Sequence, residues 1–260
     1  MRIQLPFWWV AIAICLAVPI RADAPSAVTV HHAEGLVHGF LVLRTTNNDI
    51  LADGDLMQTT IGTRVTSHLV FHFKDGSIND ETVVYSQRRT FRLLKYHLVQ
   101  KGPAFKQPID FTIDGTTGQT TVHHTDEDGK EKEINDRLKL PANLANGMVP
   151  TLLKNIPPNT AQIKLSMIVA TPKPRMIGLT ITPAGEDSFT FGSARKALHY
   201  VVKVEIGGVA GVVAPLVGKQ PPDSHIWILE GDAPTFLKSE GPLFANGPSW
   251  RIELSSPTWP

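Results

Sequence analysis

The sequence predicts an all-β protein, mostly antiparallel, whose sheet is strongly twisted or curled into a half-barrel and carries one short bent helical segment as a cap. Three observations lead there. Most of the chain is built of short runs rich in β-branched and aromatic residues, divided by polar turns. Two Asp-Gly pairs, Asp75-Gly76 and Asp128-Gly129, stand where a tight type I′ hairpin turn needs positive φ. Several runs are also apolar on both alternating faces: over 36–43 one face is Leu36, His38, Phe40, Val42 and the other Val37, Gly39, Leu41, Leu43. Such a strand is covered on both sides, or it belongs to a sheet that curls and leaves one apolar face lining a cleft.

The elements follow in chain order. Arg2, the uncharged apolar stretch Phe7 to Ile20 and the small-x-small triplet Ala22-Asp23-Ala24 predict a secretory signal peptide over 1–24. The stretch falls short of the about 20 apolar residues that a spanning helix needs, so no transmembrane span is expected after cleavage, an uncleaved anchor being the alternative. Cys15 lies inside it, preceded by Ile14 where a lipoprotein signal would carry a small residue. A single antiparallel β domain is expected over 25–260. Its strands begin with 35–46, 63–73, 81–87, 90–100 and 108–114. Then NLANGMVPTLLKNI (143–156) places Leu144, Met148, Leu152 and Ile156 on one stripe, while Pro150 forbids a regular helix interior and predicts two helical turns with a bend. The strand pattern resumes with 162–171, 175–182, 188–192, 197–208, 224–231, 234–241 and 249–254, about a dozen strands in all.

Between the last of these runs lies a glycine-rich loop that ends in Gly218-Lys219 and invites a nucleotide-binding reading. The spacing rejects it. A phosphate-binding loop needs glycine five residues before Gly218 and a hydroxyl after the lysine, but Val213 and Gln220 stand there. A dinucleotide fingerprint fails as well, because Gly207-Gly208 and Gly211 have the wrong spacing. Gly208 to Gly218 carries no charge and is costly to leave in water, so it is expected to fold against the sheet near the mouth of any cleft, with Lys219 in solvent.

Charge and motifs exclude several further classes. Cleavage after Ala24 would remove Arg2, Arg21 and Asp23 from 25 basic and 24 acidic residues and leave a formally neutral chain. Neither nucleic acid nor an anionic bilayer is a partner for such a chain. It would also lack cysteine, which excludes a thiol nucleophile and disulfides. No Asn-x-Ser/Thr sequon occurs, which fits a bacterial envelope. His68 and His72 sit in a strand pattern, where rings four residues apart are roughly 13 Å distant and cannot share one metal. His31-His32 and His123-His124 are neighbours that point to opposite faces. Gly247-Pro248-Ser249-Trp250-Arg251 lacks the closing glycine of a nucleophile elbow. The sequence thus nominates no catalytic residue, no cofactor and no metal site.

The C-terminal third, with its Gly-rich segment, Lys219-Gln220-Pro221-Pro222, Ile226-Trp227-Ile228 and Trp250-Arg251-Ile252-Glu253-Leu254, resembles a group of bacterial exported β-sheet proteins with a domain of unknown function. The likeness extends upstream through PIDFTIDGTTG and ATPKPR. It implies a strongly twisted antiparallel sheet and supplies no catalytic residues. A more distant architectural similarity is to the half-barrel carriers that ferry lipoproteins across the periplasm.

The first expectation for function is a non-enzymatic exported envelope protein, periplasmic or extracellular, that binds an apolar or lipid-like ligand on a curved sheet. Phe40, Met148, Leu152, Val213, Leu216 and Trp227 are the candidate contacts. One alternative is an envelope hydrolase or metal enzyme using strand histidines: a one-residue bulge at Asp75-Gly76 would set His72 against Asp80, whereas a two-residue turn sets it against Asn79. Another is a structural subunit of an envelope assembly that docks a protein partner.

Overall fold

The computed structural model describes residues 27–126, 128–191, 193–205 and 221–255. The expected signal segment with Cys15 lies outside the described residues, as do the loop positions Val213, Leu216 and Lys219.

Eight antiparallel strands follow one another: β1 (Val37–Thr45), β2 (Ile50–Ile61), β3 (Arg64–Phe73), β4 (Ile78–Gln87), β5 (Phe91–Lys101), β6 (Ile109–Asp114), β7 (Gln119–Thr125) and β8 (Glu131–Arg137). After helix α1 (Val149–Leu153) come β9 (Ile163–Val169), β10 (Arg175–Phe191), β11 (Ser193–Glu205), β12 (Ser224–Leu229), β13 (Thr235–Pro242) and β14 (Ser249–Leu254). All fourteen form one sheet in the order β8-β7-β6-β5-β4-β3-β2-β1-β14-β13-β12-β11-β10-β9. Its edges β8 and β9 do not pair with each other, so the sheet curls without closing. Among the described residues, the all-β antiparallel class with a single helical element is therefore the observed one.

The inward residues of both arms meet in one core. Val65, Val83, Phe111 and Val122 come from one arm and Ile168, Ile181, Tyr200 and Ile228 from the other, with Met148, Leu152 and Leu153 of the helical segment packed among them. Each such side chain contributes about 1.5–3 kcal/mol by leaving water. Pro150 occupies the first turn of α1, where its missing N–H has no partner to lose. One short helix therefore replaces the expected pair of turns with a bend.

Two local expectations are corrected. Both Asp-Gly turns are three-residue loops rather than two-residue ones: the Phe73 and Asp126 amides donate to the carbonyls of Ser77 and Lys130, and Gly76 and Gly129 take φ of 85° and 76°. The register then sets His72 against Ile78, not Asn79 or Asp80. The second correction is β2, where ILADGDL lacks the apolar run of a strand because Asp53 and Asp55, which face outward, flank Gly54. Gly54 is required there: a Cβ would lie 2.5 Å from the Phe71 ring.

The edge strand β9 is covered by an irregular segment rather than a strand. The Asn146 side chain donates to the Ile168 carbonyl at 2.8 Å and accepts the Ile168 amide at 2.9 Å. Asn143 donates to the Lys164 carbonyl at 2.9 Å, and the Ala145 amide donates to the Ser166 carbonyl at 2.8 Å. Side-chain amides here substitute for the backbone of a missing neighbour and satisfy groups that an open edge would expose.

Candidate functional site: an apolar cavity under the helix

On inward faces of β1–β4 the core gives way to a cavity of about 630 Å³. The register explains its floor. Gly39, Leu56, Leu69 and Glu81 are successive cross-strand partners, and so are Val37, Gln58, Ser67 and Val83 in the next row. Gly39 and Ser67 are small and leave room on this floor. Phe236, Ile252 and Leu254 of β13 and β14 form one side, and Val149, Pro150 and Thr151 of α1 form the roof. The rim consists of His32 to Glu34 and Asp232 to Thr235. Volume and lining fall within the range of small-molecule sites.

Ser67, Thr151 and Ser239 bring hydroxyls to this wall and His32 and Asp232 lie at the rim, while its more buried charged and amide groups are gathered in two places. At one end the Glu34 carboxylate pairs with the Lys154 ammonium, their side chains only 9% and 16% exposed. Gln58 donates to Glu34 Oε2 and to the Gly35 carbonyl, both at 3.1 Å, and receives the Tyr85 hydroxyl at 3.3 Å. Burial pushes the Tyr85 phenol above its ordinary range, and the negative charge of Glu34 adds to this. Gln87 holds both backbone groups of Glu34, and the Asn155 side chain receives the amides of His31 and His32 at 2.8 and 2.7 Å. These bonds strap the segment before β1 to α1 and across one end of the cavity.

The second place is Glu81. Its carboxyl is enclosed by protein yet accessible from the cavity it lines, and its Oε1 accepts the Tyr96 hydroxyl at 2.7 Å. Burial raises it above the ordinary carboxylate range, more than the Tyr96 hydrogen bond lowers it. Gly147, with φ of 64°, brings the turn before α1 against this spot: a Cβ there would meet Val83 Cγ2 at 2.2 Å.

Of the sequence-nominated contacts, Phe40, Met148, Leu152 and Trp227 lie elsewhere than in the cavity lining, while Val213 and Leu216 fall outside the described residues. Phe40 lies on the opposite face of β1, 38% exposed and tilted against His38 at 4.7 Å. Met148 and Leu152 are buried in the core beneath α1, one residue out of phase with the roof. Trp227 belongs to a small outer cluster with Ala197 and Leu237, stacked on His199 at 4.4 Å, capped by Lys238 Nζ at 4.0 Å and donating to Asp187 at 2.6 Å. The cavity-lining residues Val37, Gly39, Leu56 and Glu81 were not singled out as contacts in the sequence. Parity along the strand, read together with the position of the helix, would have found them.

The strand histidines form a separate pattern on the outer face. His38–Asp55, His68–Asp80 and His97–Asp110 are cross-strand pairs at 3.2, 2.9 and 2.9 Å, each about half exposed. Among the described residues no group of three or more His, Cys, Asp or Glu side chains converges to hold a metal ion, and no helix is long and apolar enough to cross a membrane.

Comparison with known proteins adds little to this geometry. No family model matches the chain, and no curated protein does. Among solved structures, one described as a β-barrel-like protein of domain of unknown function DUF1849 from Brucella abortus is similar at a TM-score of 0.44 and 9% identity, over 90% of this chain and 98% of that one.

Proposed function

We propose that the protein is a non-enzymatic exported binder of an apolar or lipid-like ligand, held between α1 and the concave face of β1–β4. The observation that supports this reading is the cavity itself, a space of about 630 Å³ walled by Val37, Leu41, Leu56, Leu69, Ile252 and Leu254 within an otherwise packed interior. An apolar space of this size left unfilled forfeits dispersion contacts that a ligand restores. Export rests on the pattern of Arg2, Phe7 to Ile20 and Ala22-Asp23-Ala24. The histidine–carboxylate pairs do not support an enzyme in the same way, since they stand on the solvent side, away from the cavity.

Gly39→Leu tests the proposal. A Cβ at Gly39 meets nothing nearer than Leu56 at 3.9 Å, so the new side chain enters the cavity rather than a packed wall. Organic extraction of the purified protein followed by mass spectrometry is expected to recover a lipid-like molecule. Uptake of a fluorescent acyl probe is expected to weaken about tenfold or more in Gly39→Leu, equivalent to about 1.4 kcal/mol. Phe40→Ala, on the outer face, is expected to leave uptake unchanged. Equal uptake by Gly39→Leu and the parent protein, or more damage from Phe40→Ala, overturns the proposal. Absence of ligand together with capture of a stable protein partner would favour the envelope-subunit reading instead.

A further inference from the structure

The two polar places in the cavity wall differ in what they have left to offer a ligand. Lys154 is the cation of the wall, and it is already matched: the Glu34 carboxylate holds it, and Gln58 holds Glu34. An ionised head group entering the cavity would find no unmatched cation among the described residues and would lose its water, a cost of several kcal/mol for a buried, unpaired charge. Glu81 is the opposite case. Its Oε1 accepts the Tyr96 hydroxyl, and Oε2, on a side chain that lines the cavity, has no hydrogen-bond partner among the described residues. No cation faces it among the described residues, and burial favours its protonated form. A protonated carboxyl has one O–H to donate.

Resting on the reading of the cavity as a lipid-like site, we propose that it selects amphiphiles with an uncharged head, in which a carbonyl or hydroxyl oxygen accepts a hydrogen bond from the Glu81 carboxyl, against amphiphiles that carry a carboxylate or phosphate. The neighbouring Gly147 supports this placement. With no side chain, it lets the turn before α1 close on Val83 and Tyr96 beside the Glu81 carboxyl, so the acid is held between β4 and the roof instead of reaching the rim. The acyl chain then lies along Leu56, Leu69 and Ile252.

The experiment is competition for a bound fluorescent acyl probe by monopalmitoylglycerol and by palmitate at pH 6, above the ordinary carboxyl range so that the free acid is ionised, using the full chain. The glycerol ester is expected to displace the probe at a concentration about tenfold or more below that of palmitate. Glu81→Gln, whose amide still donates, is expected to keep that preference. Glu81→Leu is expected to take up the probe and lose the preference. A cavity that merely favours the more apolar competitor would keep it in Glu81→Leu, and that result overturns the inference. So does palmitate competing as well as the ester in the parent protein, a comparison that needs no variant to fold. Failure of the parent protein to take up any probe overturns the cavity reading itself, and is thereby distinguished from a wrong head-group assignment.

Discussion

Glu81 is a carboxyl that the fold encloses in the cavity wall. Enclosure opposes its ionisation, so the folded chain retains a proton that the unfolded chain gives up once the pH passes the ordinary carboxyl value of 4.5. Where the native state binds more protons than the unfolded state, stability falls as pH rises. The contribution is present in full below the ordinary value and lost as the pH climbs through the higher native one. Glu81→Gln has no such proton, so its melting temperature is expected to fall less steeply than the parent's over that window; parallel curves would contradict the assignment. None of this was legible in the sequence, where Glu81 is one acid among several after a turn. Its setting depends on a three-residue loop at Lys74 to Gly76, which fixes β4 in register and turns Glu81 inward while Asp80 turns out toward His68. The same parity decides between Phe40 and Gly39. Both faces of β1 are apolar in sequence, and the large aromatic drew attention although the small neighbour opens the cavity.

Among elements, the segment from Leu138 to Ile156 does the most with the least regular structure. Its apolar stripe was legible: Leu144, Met148 and Leu152 are buried, and Ile156 partly so. The role of its asparagines was not, because a side-chain amide acquires its partners only when a particular strand edge lies opposite. Asn146→Ala removes both bonds to Ile168 in a buried setting. At about 1–3 kcal/mol for each unsatisfied group, the loss is expected to be roughly 2–5 kcal/mol in chemical denaturation. An exposed β9 edge is also expected to raise the tendency to associate, measurable by light scattering. A loss below roughly 0.5 kcal/mol would mean that water replaces the amide without cost. β2 failed to register for the converse reason: its outward acids and inward glycine suit a strand only because Phe71 covers Gly54 from the next one.

At the scale of the whole molecule, two arms wrap one core and a strap ties the segment before β1 to the helix that fills it. The Glu34–Lys154 pair is the charged knot of that strap. Lys154→Met leaves a buried carboxylate without its partner and is expected to cost about 3–5 kcal/mol, whereas Glu34→Gln combined with Lys154→Met is expected to recover much of the loss. Additive losses in the double variant, read from denaturant midpoints, would show that the two charges do not interact. The strand order has a further effect, on the way to the native state. β1 and β14, the first and last strands of the sheet, lie side by side at its middle, with Leu41 opposite Leu254. Every other ladder joins sequence neighbours and forms by local hairpin closure, but this seam must wait for the most distant pairing in the chain. Until β14 arrives, β1 has a bare edge directly beneath the future cavity. Pulsed hydrogen exchange during refolding is thus expected to protect the hairpin amides early, Thr45 among them because it donates to Asp49, and those of Val42 and Arg44, on the β14 side of β1, last. If the cavity takes up a ligand as proposed, uptake of the acyl probe is expected to begin only when that late seam has closed, so that loading would report finished folding.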